Sequence, residues 1–93
     1  TIAEGLAGPV ESGSMTIPII REYVDDLILV NEDEIAQGVF YAWHHYGERI
    51  EGSAAVVFSA VLTGKIKKRP LVVVVSGGNI DNELFAEIIN MNI

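Results

Sequence analysis

Residues 71–79 read LVVVVSGGN, and this stretch decides the fold class. Five consecutive aliphatic residues, four of them Val, leave no polar alternate position, so neither face suits water. The pattern predicts a central strand of a parallel sheet covered by helices on both faces. Ser76-Gly77-Gly78-Asn79 then forms the turn at the strand's carboxyl end. In open α/β sheets ligands sit just beyond such ends, and paired glycines let a ligand approach the backbone closely. Ser76 offers a hydroxyl there. The competing reading is that Gly77 and Gly78 only turn a strand tightly into a helix, and these four residues leave both readings open.

Working outward, a closing helix is predicted from about Asp81, with Leu84, Phe85, Ile88 and Ile89 on one face. Before the strand lies a basic turn, Lys65, Lys67, Lys68 and Arg69, ahead of Pro70. Before that, SAAVVFSAVLT (53–63) predicts a helix stopped by Gly64; being apolar all round, it is expected to be buried on all sides. The clearest helix begins after Asn31. Asn31 can cap it, Glu34 stands at its third position, and Ile35, Val39, Trp43 and Tyr46 recur every three to four residues until Gly47. Leu27–Val30 is a second short aliphatic run and predicts a strand. Pro18 to Asp26 suits a short helix with Pro18 in its first turn, and Thr1 to Pro18 reads as loop around one helical turn. A parallel strand buried on both faces needs neighbours on both edges, and only one other strand is in sight. The expectation is the tail of a larger α/β catalytic domain, or a chain that other chains complete.

Composition narrows the function classes. The 93 residues suit one domain, and no apolar stretch is long enough to span a bilayer. Six Lys and Arg against thirteen Asp and Glu give a net charge of -7, the wrong sign for tracking phosphate backbones or anionic lipid, so neither nucleic acid nor membrane is an expected partner. The absence of Cys removes disulfides and thiolate metal sites. His44 and His45 are adjacent, point about 100° apart on a helix and cannot chelate one ion together. Glu32, Asp33 and Glu34 crowd one helical turn, where they suit the dipole better than a cation. Glu51 lies between two apolar helices, where a carboxylate is costly to bury unless partnered; it either belongs to a site or serves the dipole or the cap of the helix that begins near Ser53. The chain opens at Thr1 without Met or a visible leader, which adds to the expectation of a fragment.

The ordered set TIAEG, TIPIIREYVDD, VNEDEI, IEGSAA and VVVVSGGNID closely resembles the end of the catalytic domain of the threonine and serine dehydratases and serine racemases, from Thr1 to about Asp81. The resemblance implies a tryptophan synthase β-like, fold type II domain in three layers, of which residues 1–93 are the carboxyl-terminal portion. It implies pyridoxal 5'-phosphate as cofactor and L-threonine or L-serine as substrate, in β-elimination to a 2-oxo acid and ammonia. It further implies a cytoplasmic enzyme of amino-acid metabolism, such as isoleucine biosynthesis, that forms a homo-oligomer with the remainder of its catalytic domain in place. By position, Ser76 matches the serine that meets the pyridine nitrogen, Gly77 shapes the same loop, Glu51 lies beside the ring, and the Gly5 backbone passes close to the cofactor. Gly52 departs from the Pro common after this Glu, which is expected to loosen the loop. The lysine that holds the cofactor covalently and the glycine-rich phosphate loop belong to segments upstream, and Lys65, Lys67 and Lys68 do not replace that lysine. The chain alone is expected to be inactive. A racemase of the same fold, or a non-catalytic ligand-binding or assembly module, is the rival reading.

Overall fold

The computed structural model describes residues 1–91, so the last two residues of the expected 1–93 span lie outside the described residues. A 3-10 turn at Glu4–Leu6 is followed by four helices: α1 (Thr16–Tyr23), α2 (Glu32–Tyr46), α3 (Gly52–Leu62) and α4 (Asn82–Ile89).

α2 begins where its capping residues place it. Asn31 Oδ1 accepts the Glu34 N–H at 2.8 Å and Glu34 Oε1 accepts the Asn31 N–H at 2.8 Å, closing a reciprocal capping box. It ends at Gly47, whose φ of 65° lets the chain turn back. The expected helical face holds at Ile35 and Val39, which are buried with Ala36 and Ala42. Trp43 and Tyr46 stay exposed, Trp43 meeting Phe85 edge-on at 5.4 Å between centroids.

α3 packs on α2 through small residues. A Cβ added at Gly38 would stand 2.7 Å from the Ala55 carbonyl oxygen, so the helices meet at nearly backbone distance. Ser59, fully buried, places its hydroxyl 2.7 Å from the Glu34 carbonyl and 2.9 Å from that of Ala55, which answers its polar demand. α4 also packs on α2, with Phe85 and Ile88 buried in the same core and Leu84 and Ile89 packed against it. Asp81 caps α4, accepting the Leu84 N–H at 3.1 Å.

Two expectations are corrected. Leu27–Val30 and Leu71–Val75 do not form strands, and no strand or parallel sheet is present among the described residues. The reason is that a strand is defined by the ladder it shares with a neighbour. The two runs instead flank an apolar groove of about 400 Å³, lined by Ile28, Val30, Leu71 and Val73 together with Val56 and Ala60 of α3. Both runs are left open to solvent, with Leu29 outside the groove and Val72 on its rim each 87% exposed. Nor is α3 buried all round: Ala54, Ala55, Ser59 and Ala60 are buried on α2, whereas Val56, Val57 and Val61 are only half-buried and Leu62 is exposed.

α1 is shorter than expected, ending at Tyr23, and carries no buried residue. The basic turn is exposed as expected, but Lys65 leaves it to donate to the Leu29 carbonyl at 2.7 Å and to Glu34 Oε1 at 2.9 Å, tying the end of the first aliphatic run to both helices.

Candidate functional site

Three segments distant in sequence meet at the N-terminal end of α3. The linker from α2 delivers Glu51, whose N–H donates to the Gly77 carbonyl at 3.0 Å and whose own carbonyl accepts the N–H groups of Ala54 and Ala55. Glu51 therefore occupies the capping position of α3, yet its side chain makes no capping bond. The carboxylate turns instead onto the glycine pair: a Cβ on Gly77 would lie 2.0 Å from Glu51 Oε1. Glu51 thus serves the helix end through its backbone while its carboxylate is directed at Gly77.

The TIAEG segment supplies the opposite wall. Ala3 is buried in the core and the 3-10 turn swings Gly5 over α3, where a Cβ would lie 2.8 Å from Ser53 Oγ and 3.9 Å from Glu51 Oε2. Ser53 Oγ is buried without a hydrogen-bond partner, an uncommon state for a hydroxyl. Between these walls lies a cleft of about 350 Å³ lined by Gly5, Glu51, Gly52, Asn79, Ile80 and Asp81, among others. Gly77 and Ser53 lie behind Glu51 and Gly5 rather than in that lining, and Ser76, at the end of the second aliphatic run, is exposed and outside it. Of the residues singled out in the sequence, Glu51, Gly77 and Gly5 are thus brought together, and Ser76 is adjacent through the chain alone.

One supporting residue escaped the sequence reading, and a second, Gly52, has a contact that reading did not foresee. Arg49 donates through Nη2 to the Ile80 carbonyl and to Asn82 Oδ1, both at 2.7 Å, while its guanidinium lies 4.7 Å from the centre of the Phe85 ring. It staples the loop after Gly77 to the α2–α3 linker. At Gly52 a Cβ would stand 2.2 Å from the Ile2 carbonyl oxygen, so the missing side chain is what lets the TIAEG segment pass over α3. The signal for Gly52 was its departure from Pro, whereas Arg49 carried no sequence signal.

His44 and His45 lie outside the cleft; His44 Nε2 sits 2.9 Å from the Ile89 carbonyl and His45 stacks on Tyr41 at 3.8 Å. Among the described residues no His, Asp or Glu cluster has the makings of a metal site, and no helix is long and apolar enough to cross a membrane.

Comparison with known proteins gives this geometry a context. The chain is 36% identical over 91 residues to the L-threonine ammonia-lyase of Thermotoga maritima, covering 97% of this chain and 22% of that protein. It is 38% identical over 94 residues to the serine racemase of Dictyostelium discoideum, covering 97% and 28%. It is 41% identical over 73 residues to the catabolic L-threonine dehydratase of Escherichia coli K12, covering 74% and 22%. The chain thus spans about a quarter of the length of the curated relatives it matches. No solved structure matches it. The resemblance read from the ordered segments is borne out. With the pattern of the family described as pyridoxal-phosphate dependent enzyme matching residues 1–77, the chain belongs to that family, and with it to the fold type II class.

Proposed function

We propose that residues 1–93 are the carboxyl-terminal portion of the catalytic domain of a pyridoxal phosphate dependent L-threonine or L-serine dehydratase, and that the cleft at the head of α3 forms one wall of its cofactor site. The observation that carries this reading is the Glu51 carboxylate laid on Gly77 rather than used as a helix cap.

The residues fit a flat, polar-edged ring. Gly5 and Gly77 present backbone without side chains, and Ser53 Oγ is a buried hydroxyl in want of a partner. In the proposed assignment Glu51 lies beside the ring, Gly77 and the Gly5 backbone shape its surroundings, and the Ser76 hydroxyl meets the pyridine nitrogen. When bound, the cofactor supplies the electron sink that makes the substrate α-proton labile. The protein's share is orientation: a serine hydroxyl can hydrogen-bond the nitrogen without holding it protonated by charge, as a carboxylate does. That weaker sink suits elimination, because the departing β-hydroxyl takes up the electron pair. The net reaction is balanced: L-threonine gives 2-oxobutanoate and ammonia, the water lost at elimination returning at hydrolysis.

The lysine that carries the cofactor, the phosphate loop and the homo-oligomeric contacts belong in this proposal to the remainder of the enzyme. A serine racemase of the same fold is the second reading, favoured by the identity to the Dictyostelium discoideum protein. The test is 2-oxo acid release from L-threonine and L-serine by the full-length protein with pyridoxal phosphate, alongside measurement of D-serine. Ser76→Ala should weaken cofactor retention and slow elimination. Cofactor affinity and rate both unchanged in that variant remove Ser76 from the site, and D-serine as the dominant product moves the assignment to racemisation.

A further inference from the structure

Gly5 reaches the cleft on a short segment whose start is held by one side chain outside the cleft. Glu32, the first residue of α2, accepts the Ile2 N–H on Oε2 at 2.9 Å and the Thr1 hydroxyl on Oε1. Thr1 Oγ1 in turn accepts the Ala3 N–H at 3.2 Å. Three consecutive residues are registered to one carboxylate. Beyond them the chain has little slack: the Ile2 carbonyl lies against Gly52, Ala3 is buried, the Leu6 N–H returns to the Ala3 carbonyl at 3.0 Å, and Gly5 meets Ser53 and Glu51.

The helix dipole does not account for this arrangement. Glu32, Asp33 and Glu34 all stand in the first turn of α2 and share whatever the dipole contributes. Glu34 closes the capping box, and Glu32 alone of the three reaches back to the TIAEG segment. The Ile2 N–H, followed by the Thr1 hydroxyl, holds the Glu32 carboxyl below its ordinary value of 4.5. It is therefore ionised at neutral pH, when it is the stronger acceptor.

We propose that Glu32 is a positioning residue for the cofactor site. It sets the register of residues 1–5 across the head of α3, and hence the approach of Gly5 to Ser53 and Glu51, without touching cofactor or substrate. The proposal rests on the functional reading above.

The experiment uses the full-length protein and compares Glu32→Ala, Glu32→Gln and Asp33→Ala. Asp33→Ala removes the same helix-terminal charge but no bond to the TIAEG segment. Titration of each apoprotein with pyridoxal phosphate should show Kd raised about tenfold in Glu32→Ala, a change worth about 1.4 kcal/mol. Glu32→Gln, which keeps a carbonyl acceptor for the Ile2 N–H, should recover part of the affinity, and Asp33→Ala should match wild type. Independently of the cofactor, amide hydrogen exchange at Ile2 and Ala3 should quicken in Glu32→Ala and not in Asp33→Ala. Equal effects in the two alanine variants, unchanged exchange at Ile2, or a lower Tm with unchanged Kd in Glu32→Ala overturn the proposal. A wild-type protein that binds no pyridoxal phosphate overturns the functional reading first, and the two failures are thereby told apart.

Discussion

At Gly77 one methyl group should separate a folding role from a site role. An alanine Cβ there would lie 2.0 Å from Glu51 Oε1, 3.1 Å from its Cδ and 3.6 Å from its Cγ. The crowding is confined to the far end of a flexible side chain, so the carboxylate has to retreat until Oε1 reaches the 3.4 Å at which ordinary contact begins. Such an off-rotamer adjustment costs about 0.5–1.5 kcal/mol. At about 2.1 cal/mol/K of unfolding entropy per residue, an enzyme about four times the length of this chain shifts by about 1.3 °C per kcal/mol, so the Gly77→Ala apoprotein should lose only about 1–2 °C in Tm. Its cofactor affinity should fall disproportionately, because the displaced group is the one assigned to the ring. Gly52→Ala supplies the contrast: its Cβ meets the Ile2 carbonyl oxygen at 2.2 Å and carbon at 2.6 Å, so backbone must move and the folding cost is the larger. The assay is thermal unfolding of each full-length apoprotein paired with a pyridoxal phosphate titration, repeated in a Glu51→Ala background. With no carboxylate to displace, Gly77→Ala should add nothing further to the loss of affinity. Strict additivity of the two substitutions, or a Tm loss in Gly77→Ala as deep as that in Gly52→Ala, refutes the reasoning.

Three further outcomes are expected. The Lys65 ammonium, then the Asn31 N–H, hold the Glu34 carboxyl below 4.5. A folded-state value depressed in this way contributes stability that is present above the unfolded pKa and lost as pH falls through the folded one. Glu34→Gln should therefore be less stable than wild type at pH 7, with the gap closing below about pH 4; denaturant midpoints against pH measure it, and a gap that persists at pH 3 contradicts it. Lys65→Met should likewise free the Leu29 carbonyl and speed amide exchange across residues 27–30, and unchanged exchange there removes Lys65 as a tie. The isolated chain, with Leu27, Leu29, Val72 and Val74 largely exposed, should self-associate or unfold without a sharp transition, and a concentration-independent monomer with a cooperative melt counts against that.

What was legible in the sequence follows the range of the forces involved. The limits of α2 were readable because Asn31, Glu34 and Gly47 act within one turn of the residues they stop. The face of α4 was readable for the same reason, its period being local. The two strands were over-read: an aliphatic run states that it must be covered, not by what, and no ladder partner stands beside Leu27–Val30 or Leu71–Val75 among the described residues. For the site, the ordered motifs pointed to Glu51, Gly77 and Gly5, which the structure does gather. They were silent on Arg49, and Glu32 was read only as a dipole residue, because the contacts of both are made with partners about thirty residues away, Ile80 and Asn82 for one and Ile2 for the other.

The same distinction explains why the site residues differ in how firmly they are placed. Glu51 is anchored at the head of α3, Gly77 is bonded to the Glu51 N–H, and the loop beyond is stapled by Arg49. Each of these ties runs to the helical layer, whose register is set by the near-backbone contact of Gly38 with Ala55. Ser76 lies one residue before the first such tie, at the end of a run that lacks its ladder, and it is exposed. Among the described residues no hydrogen bond of the helical layer fixes the direction of its hydroxyl. The placement of Glu51, Gly77 and Gly5 is thus a property of the helices, whereas Ser76 stands on a run that the helices do not fix. Under the proposed assignment, pairing of residues 71–75 in the remainder of the enzyme would also aim the Ser76 hydroxyl, so that completing the sheet and completing the cofactor site would be one event.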